Sequence, residues 1–243
     1  MGASSGAAPP NVLPDLVLIP GLLNDADLWR DQVAALSSVA ACRVADITRG
    51  ETLRGLAEDV LADAPPLFAL AGFSLGGYVA QEVMRVAPER VTRFALLDTS
   101  IRADTPARAA ERQALNRAAR IPGRFHGFGD RLLATYLHPS HLDDATIVDR
   151  IRDMTRRLGS ETFLRQNAIE RKDGEAVLRS LSCPTLILCG EDDLLTPISE
   201  HRAMARLVRH AVLVVVAQSG HMTPIEKPDV VSAALRDWLA GRG

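Results

Sequence analysis

Three residues far apart in the chain, Ser74, Asp193 and His221, have the side chains that nucleophilic acyl chemistry needs. Ser74 lies in Gly72-Phe73-Ser74-Leu75-Gly76, a G-x-S-x-G. A serine hydroxyl is a weak nucleophile until a neighbouring base takes its proton. His221, just after Ser219-Gly220, is the candidate base. An imidazole in that role needs a carboxylate to hold its tautomer and stabilise its cation. Gly190-Glu191-Asp192-Asp193 offers three such carboxylates and Asp98 a fourth. Asp193 ranks first, while the others are adequately explained as capping or loop carboxylates. The order Ser…Asp…His suits a nucleophile on a strand-to-helix turn.

The pentapeptide alone is weak evidence, because a βα turn with a serine N-cap has the same look. Its context strengthens it. Leu67–Ala71 is a short continuous apolar run, as expected of a strand buried on both faces, and Tyr78–Arg85 continues with helical composition. The turn strains the serine backbone and exposes Oγ at a helix N-terminus, where developing negative charge is favoured. The flanking glycines allow backbone to pack where a Cβ would collide. An oxyanion needs two converging backbone N–H groups. Leu75, after the nucleophile, supplies one, and Leu22, in the turn after the first strand, supplies the other.

The elements that must position these groups follow in order. Strands are expected at Leu16–Pro20, Arg43–Ile47, Leu67–Ala71, Phe94–Asp98, Thr185–Cys189 and Ala211–Ala217. Helices are expected near Leu28–Ser38, Thr52–Ala64, Tyr78–Arg85, Ser199–Val208 and Pro228–Ala240. Alternating strands and helices predict an α/β, doubly wound, mostly parallel sheet of about six strands. The rhythm breaks between Ser100 and Leu181, where apolar residues recur at helical intervals and Pro122-Gly123, Gly127–Gly129 and Pro139 interrupt them. That stretch reads as a helical cap inserted after the fourth strand. The core is then 15–99 with 182–243, the cap 100–181, and 1–14 a disordered tail. In such sheets ligands gather at the carboxyl ends of the strands, where Gly21-Leu22, Ser74, Asp193 and His221 all fall.

Residues flanking these motifs, Leu23, Phe73 and Met222, are candidate pocket walls, as are Arg165 and Gln166 of the cap. Arg165 would suit an acidic substrate, although a solvated cap surface is the weightier reading. His126, His138 and His141 fall in the cap, and His201 and His210 on or near a peripheral helix. His138-Pro139-Ser140-His141 has an H-x-x-H look but lacks acidic or cysteine partners at metal spacing, and reads as a loop.

The net charge of −2 gives no electrostatic case for nucleic acid or an anionic membrane. Two of the 28 basic residues are lysines, Lys172 and Lys227, and the arginine excess reads as genome composition. No apolar run reaches the roughly 18 residues of a membrane span. The first residues lack a charged n-region and an apolar h-region, so no signal peptide is expected. Cys42, Cys183 and Cys189 have no metal spacing and read as buried free thiols of a reducing compartment. The expected location is cytoplasmic, with no metal or organic cofactor required.

From Leu16 to Leu239 the chain resembles the α/β-hydrolase superfamily. The resemblance rests on Pro20-Gly21-Leu22-Leu23, Gly72-Phe73-Ser74-Leu75-Gly76, Gly190-Glu191-Asp192-Asp193…Pro197 and Gly220-His221…Glu226-Lys227-Pro228. It implies that Asp193 is the acid, since relatives supply it from a Gly-x-x-Asp block. Within the superfamily the chain is most similar to small carboxylesterases of the pimeloyl-carrier-protein methyl esterase and 3-oxoadipate enol-lactonase type, which carry a helical cap. Two departures stand out. The usual His-Gly of the oxyanion turn is Pro20-Gly21, and the two leading antiparallel strands of the fold have no counterpart in Met1–Asp15. Dehalogenases and epoxide hydrolases of this fold place Asp where Ser74 stands, so neither is expected.

The resulting expectation is a serine hydrolase acting on a small-molecule ester. Lactonase, thioesterase, C–C bond hydrolase and perhydrolase share the machinery. A slow-turnover ligand receptor on the same fold is the alternative of another class.

Overall fold

A computed structural model of the chain describes residues 13–121 and 125–242. The expected tail therefore lies, up to residue 12, outside the described residues, as does the interruption expected at Pro122-Gly123. Six strands form one sheet: β1 (Asp15–Ile19), β2 (Ala41–Val44), β3 (Phe68–Phe73), β4 (Val91–Leu97), β5 (Thr185–Gly190) and β6 (Val212–Val216). Their spatial order is β2-β1-β3-β4-β5-β6, and every neighbouring pair is parallel. β3 and β5 are buried along their whole length, whereas the edge strands β2 and β6 are largely half-exposed. Hence the central strands read as continuous apolar runs. Each fully buried aliphatic side chain of these strands contributes about 1.5–3 kcal/mol of transfer free energy.

The helices follow in chain order. α1 (Arg30–Leu36), α2 (Leu53–Asp63) and α3 (Leu75–Val86) alternate with the first strands. α4 (Pro106–Ala119), α5 (Asp130–Tyr136), α6 (Ala145–Ala168) and α7 (Glu175–Ser180) lie between β4 and β5. α8 (Ile198–Leu207), α9 (Thr223–Glu226) and α10 (Pro228–Leu239) complete the chain. Successive side chains of a strand point to opposite faces. Accordingly Ala69, Ala71 and Phe73 of β3 join a core with Leu36 of α1 and Leu235 of α10. Phe68 and Leu70 join the opposite core with Leu56 of α2, Val79 of α3 and Met204 of α8.

The second strand differs from expectation. It occupies Ala41–Val44 rather than Arg43–Ile47, because its parallel register with β1 runs from Asp15 opposite Ala41 to Leu18 opposite Val44. Ile47 instead leaves the sheet and is fully buried beneath α2. Among the described residues there is no strand beyond β2, which ends the sheet on that side. The helical insertion also differs in detail. The apolar repeats from Ile147 to Ala168 fall on two helical segments of α6 that meet at a kink at Gly159, whose φ of 71° is outside the helical range. Gly159 takes that left-handed value without a Cβ penalty. Cys189 is buried, while Cys42 and Cys183 are half-buried rather than enclosed. Among the described residues no helix is long and apolar enough to cross a membrane.

Candidate active site

Ser74 links β3 to α3 with φ 51° and ψ −117°, a strained conformation for a residue with a Cβ. Three bonds hold it there. Its N–H donates to the Leu97 carbonyl at 3.0 Å, and its own carbonyl accepts from Gly77 N–H at 2.9 Å and the Thr99 hydroxyl at 2.7 Å. The glycines of the motif have steric causes. A Cβ on Gly76 would collide with the carbonyl oxygens of Ile19 and Pro20 at the end of β1, and one on Gly72 with the carbonyl of Gly76. The elbow therefore closes only with hydrogen at both positions.

His221 reaches the same point from the end of β6. Its Nε2 lies 2.9 Å from Ser74 Oγ and its Nδ1 2.8 Å from Asp193 Oδ2. The ring is enclosed: Phe73 packs on it with centroids 5.3 Å apart, and Tyr136 meets it edge-on at 5.3 Å. The His221 backbone N–H donates to the Tyr136 carbonyl at 2.7 Å, so the helical insertion holds the loop that carries the imidazole.

Of the four carboxylates weighed, Asp193 is the one at hydrogen-bond distance from His221. Its Oδ1 accepts from the N–H groups of Leu195 at 2.8 Å and Thr196 at 3.0 Å, and its Oδ2 also accepts from the Thr196 hydroxyl at 2.6 Å. Burial acts to raise this carboxyl, but the His221 charge and the bonds from His221 and Thr196 outweigh it and hold it down at about 2. Asp192 instead approaches His138 at 3.5 Å, and Glu191 is exposed.

Asp98, at the end of β4, has a different place. It is fully buried, accepts from Gly190 N–H at 2.9 Å and bonds the Thr223 hydroxyl. It thus joins the end of β5 to the start of α9, behind the Asp193–His221 pair. Burial, then the Asp193 charge, push its carboxyl well above the usual range against those two bonds. His201 is also fully buried rather than peripheral. Its Nε2 accepts from Thr99 N–H at 3.2 Å while Nδ1 meets the Pro197 carbonyl at 3.3 Å, so Nδ1 carries the proton. Burial lowers its pKa and favours that neutral form.

A cleft of about 380 Å³ opens over Ser74, with Leu22, Leu75, Tyr78, Tyr136, Phe163 and Leu195 among its walls. Both residues expected to offer oxyanion N–H groups therefore stand beside the serine. The expected pocket walls do not. Leu23, Phe73, Gln166 and Met222 are buried and are absent from the cleft lining, and Arg165 lines a separate surface hollow while bonding the Thr48 carbonyl at 2.9 Å. Gln166 has a structural task. Its Oε1 accepts from Leu23 N–H at 2.8 Å, its Nε2 donates to the Ile47 carbonyl at 3.0 Å, and Leu23 sits at φ 51°. A residue of α6 thereby fixes the turn that carries Leu22.

Sequence reasoning missed Thr196, Tyr136 and Glu226. Glu226 has a fully buried carboxylate that accepts from Met222 N–H, Ser219 Oγ and His138 N–H, and lies 2.8 Å from His141 Nδ1. Only its place in the Gly220-His221…Glu226 motif hinted at this. The paired histidines, read as a loop, are partners of that carboxylate. Among the described residues no cluster of three or more His, Cys, Asp or Glu side chains is arranged to hold a metal ion.

A parallel sheet with Ser, Asp and His side chains meeting at its carboxyl edge calls for comparison with known proteins. The profile of the alpha/beta hydrolase family matches residues 16–234, nearly the whole chain. The chain belongs to the alpha/beta hydrolase family. Its sheet has the fold of that family. Its sequence is 28% identical over 239 residues to a pimeloyl-[acyl-carrier protein] methyl ester esterase of Vibrio parahaemolyticus, covering 93% of this chain and 94% of that one. Its structure resembles a thermophilic esterase from Thermogutta terrifontis solved with malate bound, with a TM-score of 0.84, 27% identity, and coverage of 95% and 90%. It also resembles the enol-lactonase of Burkholderia xenovorans, with a TM-score of 0.83, 26% identity, and coverage of 94% and 92%.

Proposed function

We propose that this alpha/beta hydrolase is a serine esterase cleaving small carboxylic esters through Ser74, His221 and Asp193. The reading is carried by one observation: the unbroken hydrogen-bonded chain from Ser74 Oγ through both ring nitrogens of His221 to Asp193. Ser74 Oγ attacks the ester carbonyl and its proton passes to His221 Nε2. The tetrahedral intermediate collapses, and the departing alkoxide takes that proton. Water then attacks the acyl-serine, gives its proton to His221, and the released Ser74 Oγ recovers it. Asp193, ionised throughout the neutral range, stabilises the imidazolium of each step. The N–H groups of Leu22 and Leu75 stabilise the oxyanion, a contribution for which one lost donor costs roughly 10²–10³ in kcat. The kinship with an esterase and an enol-lactonase supports carboxylic ester or lactone substrates.

The test is steady-state hydrolysis of p-nitrophenyl esters from acetate to decanoate, beside Ser74→Ala. A cleft of about 380 Å³ suits short acyl chains, so turnover peaks there and vanishes in the variant. Full activity in a folded Ser74→Ala protein refutes the assignment. Labelling of Ser74 by a fluorophosphonate without ester turnover redirects the search to lactones and thioesters.

A further inference from the structure

The cleft beside Ser74 has charged residues in its lining. Arg108, Arg112 and Arg171 line it, with Asp104 and Glu111. Two of the arginines have carboxylate partners. Arg112 forms a two-pronged pair with Asp104, and Arg108 lies 3.8 Å from Glu200. Arg171 is different. Its Nη1 bonds the carbonyls of Gln166 and Ile169 at the end of α6, where a helix C-terminus favours a cation. Among the described residues no carboxylate lies within ion-pair distance of its guanidinium, and Nε and Nη2 have no hydrogen-bond partner. Asp104 meets Arg171 only through its backbone N–H, at 3.1 Å. The guanidinium lies over the Tyr78 ring at 5.7 Å and is only partly exposed. Burial, then the neighbouring Arg112 charge, lowers its pKa to about 10 against the opposing pull of the Asp104 charge, so it stays charged at neutral pH. A guanidinium so largely enclosed usually has an ionic partner, and the free edge of Arg171 has none within ion-pair distance among the described residues.

We propose that Arg171 is the anion-binding subsite of the cleft, and that the substrate is the half-ester of a dicarboxylic acid, its free carboxylate on Arg171 and its ester carbonyl at Ser74. This rests on the esterase reading above and adds the charge of the substrate. A planar guanidinium with Nε and Nη2 free offers two parallel N–H donors, the geometry that matches a carboxylate.

The experiment compares monomethyl succinate, glutarate and adipate with methyl esters of monocarboxylic acids of the same chain length, followed by proton release. Wild type, Arg171→Lys and Arg171→Met are assayed side by side. Wild type should prefer at least one half-ester over its neutral partner by tenfold or more in kcat/KM. Arg171→Met should lose at least tenfold of that ratio, and Arg171→Lys less. General structural damage lowers both substrates together and leaves the ratio alone, so an unchanged ratio in the variant overturns the proposal. Equal use of both ester types by wild type overturns it also, and needs no variant to fold. If neither ester turns over, it is the esterase reading that fails. The subsite is then judged by the thermal midpoint of wild type with free glutarate against acetate: a rise specific to glutarate supports it, and no rise overturns it.

Discussion

Replacing Glu226 by Gln exchanges a buried carboxylate for an amide and leaves the shape almost unchanged. The wild-type carboxylate accepts four donors: Met222 N–H at 3.1 Å and Ser219 Oγ at 3.3 Å on one oxygen, His138 N–H at 2.8 Å and His141 Nδ1 at 2.8 Å on the other. An amide offers one acceptor oxygen and one NH₂ group. Whichever way it turns, the NH₂ faces two former donors, and one of these is a backbone N–H. A buried donor left unmet costs about 1–3 kcal/mol. Two of them, with some relaxation of Ser219 or His141, give about 2–4 kcal/mol. A domain of this kind holds about 5–15 kcal/mol, so the variant still folds. With a urea slope of about 3 kcal/mol/M the unfolding midpoint falls by about 1 M. The buried Trp29 and Trp238 report that transition by fluorescence. The same change reaches the chemistry, because the His138 and Met222 bonds bracket the loop that presents His221. Displacement of a catalytic group by about 1 Å costs up to 10²-fold, so fluorophosphonate labelling of the folded variant should slow tenfold or more. A midpoint within 0.2 M of wild type, as roughly 0.5 kcal/mol implies, together with an unchanged labelling rate, refutes this account of Glu226.

Two further perturbations are predicted. Asp98 binds its proton more tightly folded than unfolded, so its contribution to stability falls as pH rises from about 4 through its raised folded value. Asn at 98 cannot titrate, and the stability of Asp98→Asn relative to wild type should climb with pH between about 4 and 8; a difference constant across urea melts at pH 4.5, 6 and 8 sinks the idea. Gly76→Ala drives a methyl into the carbonyls of Ile19 and Pro20 and should cost about 1–3 kcal/mol with slower Ser74 labelling, measured by urea melts and fluorophosphonate kinetics. Wild-type values in both assays would mean that the elbow has room the structure does not display.

The sheet was legible in the sequence because its central strands are buried on both faces and cannot avoid continuous apolar runs. Ser74 was legible because a strained elbow demands glycines at fixed offsets, a local signal. Asp193 ranks first on its place after the fifth strand and the resemblance singles it out, but Glu191, Asp192 and Asp98 carry the same chemistry and only the bend after β5 decides which one meets His221. The cleft walls were not legible. Whether Gln166 faces solvent, substrate or the interior depends on how α6 docks, which its own periodicity does not encode, and it turns inward to bond Leu23 and Ile47. α4, whose Arg108 and Arg112 line the cleft, has no buried residue at all and so gives no apolar stripe to read. The second strand was displaced because register with β1, a non-local property, sets where pairing stops.

The bond from Leu23 N–H to Gln166 spans 143 positions and crosses from the sheet to the helical insertion. Insertions of this kind invite treatment as interchangeable modules, to be swapped between relatives to alter what the cleft accepts. Here the module also supplies the peg that sets the turn beside Ser74, through Gln166, and the shelf for the His221 loop, through the Tyr136 carbonyl. A chimaera that keeps this sheet but borrows a foreign insertion inherits Ser74, Asp193 and His221 and none of that scaffolding. To turn over substrate it must bring its own acceptor to Leu23 and its own carbonyl to His221, so those two contacts, not the seam residues near 100 and 181, define where such a graft can be cut.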